Sequence, residues 1–160
     1  MLAFSQEIKL LAPADLKIIE DEHAELSIFL QELLNACSCS KLNKLNNSDF
    51  CDHEKITSCQ GRLTSFLTYG IYIVSKHFDH EENILLNTLH ITKQHELFRL
   101  HQNAHEYILQ KLNGYVNDWT SIVSSKHTHI IYSQFYKVLN NLLNEHDHKF
   151  DAPFIRFTNN

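Results

Sequence analysis

The stretch Lys76-His77-Phe78-Asp79-His80-Glu81-Glu82-Asn83 (KHFDHEEN) places a histidine and a glutamate four positions apart within an apolar helical series. Spacing of i, i+4 brings both side chains to one face of an α-helix, one turn apart. The same face carries Leu63, Leu67, Gly70, Val74 and Ile84, so residues 59–87 read as one amphipathic helix. His77 and Glu81 therefore point into a core. Buried imidazoles and carboxylates need partners, and one cation can satisfy several of them at once.

Working outward, LHQNAHEY (residues 100–107) repeats the arrangement with His101 and His105. Phe98, Ile108 and Leu112 extend that stripe, which predicts a helix over 92–112. Gly114 interrupts or ends it, and the region around Trp119 is compatible with helix or loop. Upstream, Leu16, Ile19, Leu26, Leu30 and Leu33 step by three and four after Pro13, with His23 in the series, which predicts a helix over 15–37. Downstream, Phe135, Leu139, Leu142, His146 and Phe150 predict a helix over 128–152, stopped at Pro153. The polar residues 38–58, including SCSKLNKLNNSDF, read as a long connection. Four amphipathic helices give an all-α, up-down-up-down four-helix bundle, in a single domain spanning 1–160.

Composition agrees. The 160 residues include only three Gly and two Pro, too few turn residues for a fold of many short strands. A net charge of −5 without a basic stripe excludes a nucleic-acid partner. No apolar run approaches membrane-spanning length, so no membrane partner is expected. MLAFSQEIKLLAPADL lacks a cationic segment leading into an apolar core, and a cytoplasmic location is the expectation. Cys37, Cys39, Cys51 and Cys59 cluster in one stretch and are expected to be reduced thiols. Cys51 and His53 offer the alternative of a small extra metal site, although the spacing matches no zinc motif.

Twelve histidines are the anomaly of this composition. At 1.5 Å per residue, His23, His77, His101 and His146 lie roughly 9–15 Å from the same end of an alternating bundle. They form one layer contributed by four helices. Nitrogen and oxygen donors without thiolate suit iron, zinc or manganese.

This layer resembles the hemerythrin family of non-haem di-iron, oxygen-binding bundles. HFDHEE is similar to its HFxxEE, HQNAH to its HxxxH, and HDHKFD to its HxxxxD, while EDEHAEL resembles the first-helix motif. The resemblance runs from that first segment to DAPFIRF and implies two iron ions under an oxo or hydroxo bridge, with O2 as ligand. It assigns His101, His105 and His146 to one iron, His23 and His77 to the other, and Glu81 and Asp151 to both. The second iron then keeps an open position.

The function implied is reversible oxygen binding for transport, storage, delivery or sensing rather than catalysis. The alternatives are a di-iron enzyme that reduces NO or peroxide or oxidises ferrous iron, and a metal- or redox-responsive regulator using the cysteine-bearing loop. The chain departs from the family pattern in a longer interval between His77 and His101, which implies a longer connection between the second and third helices. His95 lies near the usual distance but has Arg99 one turn on; Leu142 and Leu85 replace a common tryptophan and methionine. His146 and Asp151 would stand about 140° apart on an ideal helix, so a local distortion must join them. His148 with Asp151 is the alternative pair, and His80 beside Asp79 is expected to be solvated. His53, His90, His127 and His129 fall in expected loops or helix starts.

Overall fold

A computed structural model describes residues 11–36, 53–88, 91–122 and 128–151. Cys37, Cys39 and Cys51 lie outside the described residues, as do His90 and His127. The fold is all-α, with four helices packed against one another and no strand among the described residues. They are α1 (Pro13–Asn35), α2 (His53–Asn83), α3 (Glu96–Ile122) and α4 (Thr128–His146). Two π-helical turns extend them, Ile84–Thr88 after α2 and Asp147–Asp151 after α4.

Contacts between named residues set the helix directions. Ala36, just past the end of α1, accepts a hydrogen bond from Arg62 near the start of α2, and Glu22 meets His77 near its end. These two helices are therefore antiparallel. Glu82 meets His105 early in α3, and His101 meets His146 at the end of α4, which continues the alternation. Tyr132 donates to the carbonyl of Cys59, so α2 and α4 run parallel.

Pro13 opens α1, where its fixed φ fits the first helical turn. The C-terminal end of α1 is closed from α2, where Arg62 and Cys59 both donate to the carbonyl of Ala36. At α3 the start is His95: its ring Nδ1 accepts from the backbone N–H of Leu97 at 3.2 Å. That exposed residue is a helix cap, which separates it from the centre although its sequence position resembles a ligand's.

Three boundaries differ from the sequence reading. Helix α2 begins at His53 rather than near 59, because an exposed turn carrying Thr57 and Ser58 shows no apolar periodicity. Residues 92–95 form a turn and α3 begins at Glu96. The same helix continues through Gly114 to Ile122 instead of ending near 112. An exposed helical glycine costs only about 1 kcal/mol, and Val116 and Trp119 beyond it pack against the core.

The core is divided in two. A larger apolar cluster contains Phe29, Leu63, Leu67, Leu112, Phe135 and Leu139. A smaller one contains Ile19, Ile84, Leu85 and Phe98. Between them every helix turns polar at one level, and there the buried ionisable residues collect. On α1 the buried face is Ile19, Glu22, Leu26, Phe29 and Leu33, rotated slightly from the expected series. Phe29 and Glu22 replace Leu30 and His23 at its centre, leaving those two only partly buried.

Candidate metal centre

His77, Glu81, His101, His105, His146 and Asp151 are all buried to within 3 % relative exposure, whereas the His23 side chain keeps 31 %. Their ligand atoms form two groups, each with all atoms within 4.8 Å of one another. One group is Glu81, His101, His105 and His146; the other is His23, His77, Glu81 and Asp151.

The two carboxylates span both groups. Glu81 Oε2 lies 3.4, 3.1 and 3.5 Å from the Nε2 atoms of His101, His105 and His146, while its Oε1 lies 3.2 Å from His77 Nε2. Asp151 Oδ1 lies 3.0 Å from His146 and 3.6 Å from His101. Its Oδ2 lies 3.5 Å from His23 and 4.0 Å from His77. Each carboxylate thus presents one oxygen to each group.

Asp151 reaches this position through the π-helical turn Asp147–Asp151. Hydrogen bonding from i to i+5 widens the turn and brings residues five apart toward one face. The distortion required of the His146–Asp151 pair is this one, and His148, the alternative partner, stays exposed.

Glu22 and Glu82 orient the rings from behind. Glu22 accepts from His77 Nδ1 at 3.1 Å, and Glu82 accepts from His105 Nδ1 at 2.9 Å. With Nδ1 donating, the neutral ring presents its Nε2 lone pair to the centre. His80, expected to be solvated, also pairs with Glu22 through its Nδ1. The sequence assigned neither glutamate a role, although Glu82 closes the HFDHEE motif and Glu22 sits three residues after Ile19 and four before Leu26, in phase with the apolar stripe. Phe78 stacks on His105 at 3.9 Å between centroids and Phe150 on His101 at 5.2 Å, which holds the ring planes.

Such a centre demands positive charge. His146 Nε2 lies 3.2 Å from the Nε2 atoms of both His101 and His105, so neutral rings would set lone pairs against one another and against carboxylate oxygens. Glu81 Oε1 and Asp151 Oδ1 are buried without a hydrogen-bond partner of adequate geometry. Only protons or cations between these atoms relieve that arrangement. Protons leave their mark on the titration. Burial opposes charging of His77, but Asp151, Glu22 and Glu81 outweigh it and push the ring up to about 11. Burial likewise opposes charging of His101, which Asp151 and Glu81 push up to about 9. Glu81 and Asp151 are held well below their ordinary values, burial being outweighed by the surrounding histidines. His105 goes the other way, lowered by burial and by the charge of His101. Nitrogen-rich and carboxylate-bridged, the donor set fits two transition-metal ions.

Among the described residues no helix is long and apolar enough to cross a membrane. Comparison with models of known families, with curated proteins and with solved structures finds no match for this chain.

Proposed function

We propose that this chain is a di-iron protein of the hemerythrin type that binds dioxygen reversibly. One observation carries the reading: Glu81 and Asp151 each offer one oxygen to a three-histidine group and the other to a two-histidine group. His101, His105 and His146 would hold one iron and His23 and His77 the other, with both carboxylates shared. Counting donors, the His23/His77 position is the less saturated and takes the external ligand. Two ferrous ions, one in each group, would together supply the two electrons that reversible oxygen binding requires.

The protein's own contribution is positional. Glu22 and Glu82 hold the tautomers of His77 and His105, and Phe78 and Phe150 fix the ring planes of His105 and His101 by stacking on them. Five imidazoles with two carboxylates favour a carrier over an oxidase, since oxidase-type bundles use more carboxylate ligands. The 31 % exposure of His23 favours a second reading, turnover of NO or peroxide at the same position.

Anaerobic reconstitution with ferrous iron followed by air tests the proposal. Two irons per chain and a visible charge-transfer band that disappears on removing oxygen are expected. Immediate, irreversible oxidation with rapid consumption of NO or peroxide would establish the second reading, and a single zinc with no iron uptake would overturn both.

A further inference from the structure

A cavity of about 230 Å³ runs between α1 and the end of α4 to the two-histidine side of the centre. His23 and His77 form its floor with Asp151 and His146. Its walls are apolar at Leu26, Leu30 and Leu143, and neutral polar at Ser27 and Asn144. Apart from the residues of the centre itself, Asp147 is the one charged side chain lining it among the described residues, and Asp147 is exposed.

Helix stability does not account for an acid at this position. Asp147 follows the last residue of α4, where the helix dipole favours cations and disfavours carboxylates. Its negative charge instead faces any ligand entering the cavity. Two ferric ions carry more positive charge than Glu81 and Asp151 neutralise, so the centre by itself would draw anions in. A carboxylate at the mouth opposes that attraction along the approach and leaves a neutral molecule unaffected.

Resting on the di-iron reading above, we propose that Asp147 is a specificity-determining residue: it makes this cavity an entry route for small neutral ligands and slows small anions. A unit charge several ångströms from the path, partly in water, changes an anion's association rate by about threefold. Replacing it by the opposite charge changes the rate by roughly tenfold.

The test uses iron-loaded protein, with azide as the anionic probe on the oxidised form and dioxygen as the neutral probe on the reduced form. Association rates are measured by stopped flow for the wild type, Asp147→Asn and Asp147→Lys at low and high sodium chloride. At low salt azide should bind about threefold faster to D147N and roughly tenfold faster to D147K. Salt should accelerate azide binding to the wild type and slow it in D147K. Oxygen rates should stay within about twofold throughout, since a neutral ligand feels no net Coulomb force. Asn144→Asp adds a second charge to the same mouth, and azide binding should slow by about threefold. Azide rates that are equal in all four proteins, each with two irons bound, would overturn this inference and leave the di-iron reading intact. Oxygen rates moving in parallel with azide would also overturn it, by showing a steric effect. A chain that takes up no iron would overturn both.

Discussion

Glu22 on α1 accepts a hydrogen bond from Nδ1 of His77 on α2 at 3.1 Å, with both side chains buried. The contact decides which ring nitrogen of His77 faces the centre and ties the first helix to the second at the level of the histidine layer. Partners of this kind typically contribute one to two orders of magnitude in metal affinity. Glu22→Ala should therefore weaken metal binding at the His23/His77 position by about 10–100-fold and leave the three-histidine position much less affected. Glu22→Gln keeps an acceptor oxygen and should lose less. Metal titration resolving the two positions checks this, and equal loss at both would contradict it.

Glu81 contacts histidines of both groups, through Oε1 to His77 and through Oε2 to His105 and His146. Glu81→Ala should reduce metal content from two ions per chain to one or none. It also leaves several buried imidazoles without their counter-charge, at a cost of about 3–5 kcal/mol for uncompensated buried charge. Metal analysis and thermal denaturation read the two effects separately, and two tightly held ions in the variant would refute the bridging role.

In protein stripped of metal by a chelator, protons must supply the positive charge. The folded-state values of His77 and His101 are raised from 6.5 to about 11 and about 9. A raised value means that the stabilisation is fully present below about pH 6.5 and is lost as pH climbs through 9 and then 11. Glu81 and Asp151 are lowered, so their stabilisation is present above the ordinary carboxylate range and lost in acid. His105 is lowered, so its own effect is a gain in stability as pH rises toward 6.5, and it leaves the loss above that pH unchanged. The chelated protein should be most stable between those limits, and its Tm should fall steadily from about pH 7 to pH 9. Metal affinity should rise over the same interval, because binding displaces protons. A Tm independent of pH across it would contradict the prediction.

Gly70 on α2 faces Phe29 of α1 and Phe135 of α4. A Cβ there would stand 2.7 Å from two ring carbons of Phe29 and 3.2 Å from Phe135. Both rings are fully buried, so neither moves freely. Overpacking of this kind costs about 1–3 kcal/mol, against a gain of about 1 kcal/mol in helix propensity. Gly70→Ala should lower Tm by several degrees. Gly114, with nothing within 4 Å of its would-be Cβ, is the control, and Gly114→Ala should raise Tm. Equal shifts in the two variants would remove the packing argument.

Helical periodicity made the bundle legible in the sequence. The stripe from Leu63 on α2 to Ile84 in the π-helical turn that follows it, and that from Phe98 to Leu112 on α3, are buried residue for residue. The physical reason is that a helix burying one face must place apolar side chains at 3.6-residue intervals, and a histidine that interrupts such a series is buried with it. His77, Glu81, His101, His105 and His146 stood out for that reason. The exposed first turn of α2 carries no such signal, and on α3 Gly114 breaks the series although Val116 and Trp119 beyond it pack against the core.

What required the tertiary structure was everything set by distance between helices. The Glu22 carboxylate is as polar as its exposed neighbours Glu20 and Asp21, and only α2 packed against α1 shows it to be buried between His77 and His80. Asp151 stands off the helix face until the π-helical turn after His146 swings it inward. Local periodicity thus determined which residues of α2 and α3 enter the core and at what depth, whereas on α1 the buried face is rotated to Glu22 and Phe29. Only packing decided which ring nitrogen faces inward, which carboxylates span two histidine groups, and that His23 is the one of the seven left substantially exposed, because those depend on contacts between residues far apart in the chain.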